Sequence, residues 1–255
     1  MRTKKTPLAI SLLTLSTSAF AIAQAPAPDP VDPSPVAPQS TSPSASDQKK
    51  IWLFPVHLAH GQDWIPTAAV VGATVGLVAL DPIDARYFRR TSYFNGFNRV
   101  LSGANTFHSI VAVPVALYAT GLLRKDSKMK KTALLAAEAM GNSYLVVTAM
   151  KDIDRRLQPI AIAPDGNFSH SWFDDHSRYG RSDGSFPSGH EIHAFAIATI
   201  VARRYGNHRW VPYVAYPLAA LVGFSRVTLS AHFVSDVFMG GALGYSISRF
   251  AVLRQ

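Results

Sequence analysis

Six apolar segments separated by polar turns constrain this chain more than any other feature: Trp64 to Leu80, Thr106 to Leu123, Thr132 to Met150, Glu191 to Tyr205, Trp210 to Leu229 and Phe233 to Phe250. Each has helical length, and no segment shows the alternation of a half-buried strand. Asp81-Pro82, Gly121 and Gly206 stand where such helices would end. The expected fold class is all-α, a six-helix bundle. With 48% hydrophobic residues in a chain of 255, there is material for a real core.

Two short blocks between Pro187 and Asp236 carry the chemistry. Pro187-Ser188-Gly189-His190 reads as a helix start, with Ser188 as N-cap and Glu191 completing a capping box. A helix N-terminus with glycine in its first turn offers unpaired N–H groups to an anion. The second block is Ser225-Arg226, then His232 and Asp236. His232 and Asp236 are four apart, so on one helix the carboxylate can hold the imidazole in a single tautomer. Arg226 supplies a fork of donors suited to phosphate oxygens. On an unbroken helix Arg226 and His232 would stand roughly 240° apart, so a break is expected between Thr228 and Ala231. Two histidines, one beside an aspartate and one at a helix start, suit phosphoryl transfer through a histidine.

The two blocks, Pro-Ser-Gly-His and Ser-Arg-x5-His-x3-Asp, resemble the second and third motifs of the type-2 phosphatidic acid phosphatase superfamily, which includes class A acid phosphatases and vanadium haloperoxidases. The first motif of that family, Lys-x6-Arg-Pro, is matched by Lys151 and then Gln158-Pro159, with glutamine in place of arginine. The resemblance covers about the last hundred residues. It implies that the site lies at one end of the bundle, where the three motifs meet. It further implies that His232 is the nucleophile and forms a phosphohistidine, that Asp236 holds its other ring nitrogen, and that His190 serves as general acid and then base. Lys151, Ser188, Gly189 and Arg226 would bind the phosphoryl oxygens. Arg155, one turn from Lys151 if the third helix continues, and Arg181, just before Pro187, are candidate substitutes for the missing arginine. The family reaction needs no metal or other cofactor. An ordinary histidine near pKa 6.5 would serve both roles of His190.

His57, His60, His108 and His208 lack partners at useful spacing, and His193 reads as core or rim. His170, Asp174, Asp175 and His176 mimic a metal site but belong to the stretch from Pro159 to Phe186, expected to form a solvated lid. Trp172, Phe173, Arg178, Tyr179 and Arg181 are its candidate contacts to a leaving group.

Arg2, Lys4 and Lys5 precede an apolar run ending in Ala21-Ile22-Ala23, so residues 1–23 read as a secretory signal. Residues 24–50, rich in Pro, Ala and Ser, read as a flexible tether, and 51–255 as the helical domain. The absence of cysteine excludes disulfides, a lipoprotein anchor and thiolate metal sites. A net charge of +9, less the three cations lost with the signal, suits a phosphorylated lipid, a small phosphate or an anionic membrane surface. Nucleic acid is not expected, because Arg86, Arg89, Arg90 and Arg99 form no binding module.

Six full spans after signal cleavage would put Lys151 and the later motifs on the cytoplasmic side and push the basic stretch 124–131 outside, against the positive-inside rule. The third segment carries Glu138, Asn142 and Ser143, and mean hydropathy is only +0.10. An exported, periplasmic bundle, soluble or peripheral, is therefore expected, with an integral membrane protein as the alternative. The leading functional reading is a phosphomonoesterase acting on a lipid phosphate such as phosphatidate, or on a small organic phosphate. The competing readings are a vanadate-dependent haloperoxidase and a phosphate-binding protein with weakened catalysis.

Overall fold

The computed structural model describes residues 64–176, 179 and 183–253. The expected signal and tether, His57, His60, Arg178 and Arg181 lie outside them. The described residues contain helices and no strand. In chain order these are α1 (Trp64–Arg90), α2 (Asn95–Val100), α3 (Gly103–Leu123), α4 (Ser127–Asp154), α5 (Gly189–Arg204), α6 (Trp210–Thr228) and α7 (Val234–Ser246). A 3-10 turn at Pro159–Ala161 follows α4, and a π-helical stretch at Ile247–Val252 extends α7. Apart from the short α2, the long helices correspond to the six apolar segments, and the chain is all-α.

The end of α1 and both ends of α4 differ from expectation. α1 does not end at Asp81-Pro82 but runs on to Arg90 with Pro82 inside it. Asp81 is 1% exposed and its carboxylate is held by Arg156 and Ser235, so tertiary contacts keep the chain helical through a residue that normally interrupts a helix. α4 starts earlier than Thr132, with Asp126 capping the N–H of Met129, and continues to Asp154. Lys151 thus sits inside its last turn rather than beyond it. At the other end of the bundle sequence, α6 stops at Thr228, and Ser230 adopts a left-handed φ of 54° before α7 begins. That break turns His232 away from the course of α6.

α5 is the central helix, packed against α4, α6 and α7. Ile192 and Ile200 on it are fully buried, each contributing about 1.5–3 kcal/mol of apolar burial. Ala194, Ala196, Ala198 and Ala202 fill the remaining positions with small side chains that admit close neighbours. α7 exploits this: a Cβ on Gly240 would lie 2.7 Å from the Ser188 carbonyl oxygen, and one on Gly244 would run into that of Ile192. Glycine is required there because the α5 backbone occupies the space of a side chain.

The outer helices expose apolar surface. Trp64, Ile65, Val75 and Leu80 on α1 and Val115 and Leu122 on α3 are more than half exposed. α1, α3 and α4 with the residues following it to Ala161 are long and apolar enough to cross a membrane. The chain itself covers only 11%, 22% and 33% of their apolar windows. At 1.5 Å per residue α1 is about 40 Å long, more than a hydrocarbon core of about 30 Å. Helices this apolar and this poorly covered favour the integral alternative over the soluble or peripheral bundle.

Gly244→Val should destabilise the protein by about 1–3 kcal/mol or more through overpacking against α5. Gly76→Ala, where an added Cβ meets nothing within 4 Å, should be neutral or stabilising by up to about 1 kcal/mol. Thermal unfolding of the two purified variants in the same detergent checks the contrast, and equal midpoints would contradict the packing.

Candidate active site

The C-terminal end of α4, the start of α5, the turn between α6 and α7, and the loop from residue 155 to Phe186 converge on one buried region. His232, in the turn just before α7, is 5% exposed. Its Nδ1 lies 2.7 Å from the carbonyl oxygen of Ser185. A carbonyl only accepts, so Nδ1 carries the proton and Nε2 keeps the lone pair. The Asp236 carboxylate stands beside the same nitrogen, with Oδ2 3.6 Å from Nδ1, while the closest acceptor is the Ser185 carbonyl. Asp236 accepts from Arg156 NH1 at 2.6 Å, from the Ser185 hydroxyl, and from the Phe233 N–H at 2.8 Å. The last bond caps the first turn of α7, which is why the carboxylate turns toward the helix start.

His190, in the first turn of α5, directs Nε2 to the carbonyl oxygen of Gly103 at 3.1 Å and stands edge-on to Phe107. Arg226 is 1% exposed, and its NH2 donates to the Leu101 carbonyl oxygen, Thr106 Oγ1 at 2.9 Å and Ser225 Oγ at 2.8 Å. The start of α3 therefore frames both residues, a contribution that the spacing of the motifs does not reveal. Lys151 is buried in the last turn of α4.

Ser188 departs from the capping box read in the sequence. Its side chain makes no cap bond, and its buried Oγ has no hydrogen-bond partner among the described residues. Its N–H donates to the Asp236 carbonyl oxygen at 3.0 Å, which fixes the start of α5 on α7 and leaves the hydroxyl uncommitted. Glu191 is buried beneath the first turn rather than closing the box. A hydroxyl at a helix N-terminus beside Gly189 is a suitable donor to an anion.

The candidates for the missing arginine fare differently. Gln158 donates from Nε2 to the Asp183 carbonyl oxygen at 3.0 Å. Arg155 does not share the face of Lys151, because α4 ends at Asp154 and Arg155 takes a left-handed φ of 45°, with its guanidinium 4.5 Å over the Tyr179 ring. Its neighbour Arg156, absent from the sequence reading, enters the site. Nothing in the spacing marks it, since it acts through Asp81, which lies 75 residues earlier in the chain.

The stretch from Pro159 to Phe186 is more than a solvated lid. Phe168, Ser171, Ser185 and Phe186 are buried, and the backbone is pinned by Leu157 to Ser171 and by Ser185 to Arg156, both at 2.7 Å. These bonds make its described residues a wall of the site. His176 and Asp174 stand exposed on it 3.7 Å apart, and no cluster fit to hold a metal occurs among the described residues.

Burial, reinforced by the positive charge of Arg226, holds His190 down to about 4, well below the ordinary 6.5 expected from sequence. Burial also lowers His232, with Lys151 adding to it and Asp236 opposing. Burial alone would raise Asp236, but His232, Arg156 and Ser185 together hold it below the usual carboxylate range. Both imidazoles are therefore neutral at pH 7.

Residues 132–255 match the PAP2 superfamily model, and this part of the chain belongs to that superfamily. Among curated relatives, a lipid A 1-phosphatase of Porphyromonas gingivalis is 29% identical over 153 residues, covering 56% of this chain and 30% of that protein. Phosphatidylglycerophosphatase B of Bacillus subtilis is 39% identical over 71 residues, covering 25% of this chain and 35% of the relative. A lipid A 1-phosphatase of Rhizobium etli is 26% identical over 190 residues, covering 67% and 77%. The chain thus spans about a third of the length of the first two. A crystal structure of the transmembrane PAP2 type phosphatidylglycerolphosphate phosphatase from Bacillus subtilis aligns over 79% of this chain and 92% of that one, at 24% identity and a TM-score of 0.43.

The depressed histidines give stability a defined pH dependence. A group whose pKa is lowered by folding binds more protons in the unfolded chain, so its stabilising effect is lost as pH falls. For His190 that window runs from 6.5 down to about 4, and His232 and Asp236 act in the same direction. Glu191, which burial pushes up to about 8, acts in the opposite direction, so the His190 contribution is read as a difference between variant and wild type. Relative to wild type, His190→Asn should lose less stability as pH falls from 6.5 to about 4, and an unchanged difference in unfolding midpoint across that window would contradict the burial of His190.

Proposed function

We propose that the protein is a metal-independent phosphatase that releases inorganic phosphate from a phosphorylated lipid, working through a phosphohistidine on His232. The observation that carries the reading is the Nδ1 bond of His232 to the Ser185 carbonyl, which leaves Nε2 as the nitrogen with a free lone pair, with the Lys151 charge acting on the ring. Nε2 attacks phosphorus, the bond from phosphorus to the ester oxygen breaks, and His190 gives that oxygen a proton. Water then attacks the phosphohistidine, His190 accepts its proton, and phosphate leaves with His232 regenerated.

His190 is neutral in the resting site, so the acid role requires that it first gain a proton. An entering phosphate dianion supplies the reason, since a nearby negative charge raises the pKa of an imidazole and offsets its burial. Lys151, Arg226, the Ser188 hydroxyl and the Gly189 N–H are assigned to the phosphoryl oxygens. In a loose transition state such fixed donors provide most of the rate. Gln158 is neutral and committed to the loop, so this clamp works without the third cation of the family pattern.

The substrate class rests on two supports: the lipid phosphatases among the relatives, and the apolar faces of α1, α3 and α4. An enzyme embedded in the bilayer meets a lipid phosphate at the interface where the headgroup lies. We take the protein to be an integral membrane protein.

His232→Ala should abolish phosphate release from a panel of lipid and soluble phosphomonoesters. Wild-type enzyme quenched during turnover should carry an acid-labile phosphate on that residue, and a chiral phosphate ester should react with retention. Inversion would exclude the covalent intermediate. Membrane fractions should yield the protein only to detergent, whereas release by high salt would restore the peripheral reading.

A further inference from the structure

Arg156 is 1% exposed, yet it carries a full charge into the wall of the site. NH1 donates to Asp236 Oδ1 at 2.6 Å and to Ser235 Oγ at 2.8 Å. NH2 donates to Asp81 Oδ2 at 2.6 Å, and Nε to Ser171 Oγ at 3.2 Å. The guanidinium also lies 4.3 Å from the Trp172 ring centroid and 3.9 Å from that of Phe233. With its donors committed to side chains and aromatic rings packed on it, this arginine has no freedom to turn toward a phosphate. It cannot replace the arginine missing at Gln158, and its role must be exerted through the groups it holds.

The group it holds closest to the chemistry is Asp236. One carboxylate oxygen pairs with Arg156, while the other accepts from Ser185 and stands 3.6 Å from His232 Nδ1. Ser185 also presents the carbonyl that accepts from that same Nδ1. In the resting site the negative charge of Asp236 is therefore balanced by Arg156, and the closest partner of the imidazole is a neutral carbonyl. Asp81, from α1, competes for the same guanidinium. The other charged or titratable groups facing His232 are Lys151 from α4 and His190 from α5, with Arg226 at the end of α6.

We propose that Arg156 is a positioning residue for phosphoryl transfer: by pairing with Asp236 it keeps the carboxylate from claiming the His232 proton and leaves His232 an uncharged nucleophile. This rests on His232 acting as proposed above, but its central measurement does not require turnover. Without Arg156, the unbalanced carboxylate favours imidazolium, which has no lone pair to attack with. Without the charge of Asp81, Arg156 pairs with Asp236 alone, so the effect on His232 must not have the same sign. Loss of packing at either position would instead move His232 toward its ordinary behaviour in both variants.

The test uses the full chain in detergent micelles, as wild type, Arg156→Gln, Arg156→Lys and Asp81→Asn, with histidines labelled in the ring. NMR titration of His232, assigned through His232→Asn, reads its protonation directly. Arg156→Gln should raise the His232 titration midpoint by about one pH unit or more, Arg156→Lys should restore most of the shift, and Asp81→Asn should leave it unchanged or lower it. Phosphate release from a short-chain phosphatidate should show the matching kinetics. For Arg156→Gln, kcat/KM at pH 6 should fall at least tenfold and the acid limb should move upward, with KM changing less than kcat. An unmoved His232 titration in folded Arg156→Gln, or an upward shift of equal size in Asp81→Asn, would overturn the proposal. If Arg156→Gln does not fold, Arg156→Lys and Asp81→Asn decide by the same criteria. If the wild type releases no phosphate from any ester, the phosphatase reading fails while the titration still decides the role of Arg156.

Discussion

A buried carboxylate with no exposure to water must have its charge met from within the protein, and Asp236 is where this structure meets that demand. Its two oxygens collect Arg156, the hydroxyl of Ser185 and the N–H of Phe233, and its carbonyl oxygen accepts from Ser188. These bonds join α7 to the loop wall, to the start of α5 and, through Arg156, to Asp81 on α1. The pieces of the candidate site are thus held by one electrostatic requirement. An uncompensated charge there would cost several kcal/mol, which sets how completely the surrounding groups must be engaged.

Close packing lets that network form. α5 and α7 approach until backbone meets backbone at Gly240 and Gly244, and the Ser188 N–H can reach the Asp236 carbonyl only at that separation. The apolar periphery obeys a different rule. α1 and α3 turn large side chains outward with little of the chain over them, a pattern that is costly in water and favourable in lipid. One bundle therefore combines a polar, fully engaged interior near the site with an apolar exterior.

The two histidines differ in how their protons are held. Each ring is fixed by a backbone carbonyl, Ser185 for His232 and Gly103 for His190, rather than by an ionised side chain. A carbonyl fixes the tautomer without strongly favouring the charged form, so both rings remain neutral where burial disfavours a proton. Under the proposed mechanism, such a site waits for the charge of its substrate before His190 can act as the acid, a form of coupling between binding and protonation.

Helical class, the six long segments and the positions of His190, Arg226, His232 and Asp236 were legible in the sequence, because apolar periodicity and short motifs are local properties. The break after Thr228 followed from helix geometry alone, as two residues of one motif cannot share a face at that spacing. What the sequence could not yield was anything set by distant partners. α1 passes through Pro82 because Asp81 is gripped by a residue 75 positions away, and Arg156 rather than Arg155 turns inward because α4 ends one residue before a left-handed turn. The preference for a soluble or peripheral bundle rested on the parity of six assumed spans, on polar residues within the segments and on mean composition, whereas exposure is a property of faces that only the packed structure shows. Tertiary structure decided which carbonyl holds each histidine and which cation balances Asp236, since those depend on separations across the bundle that no local pattern encodes.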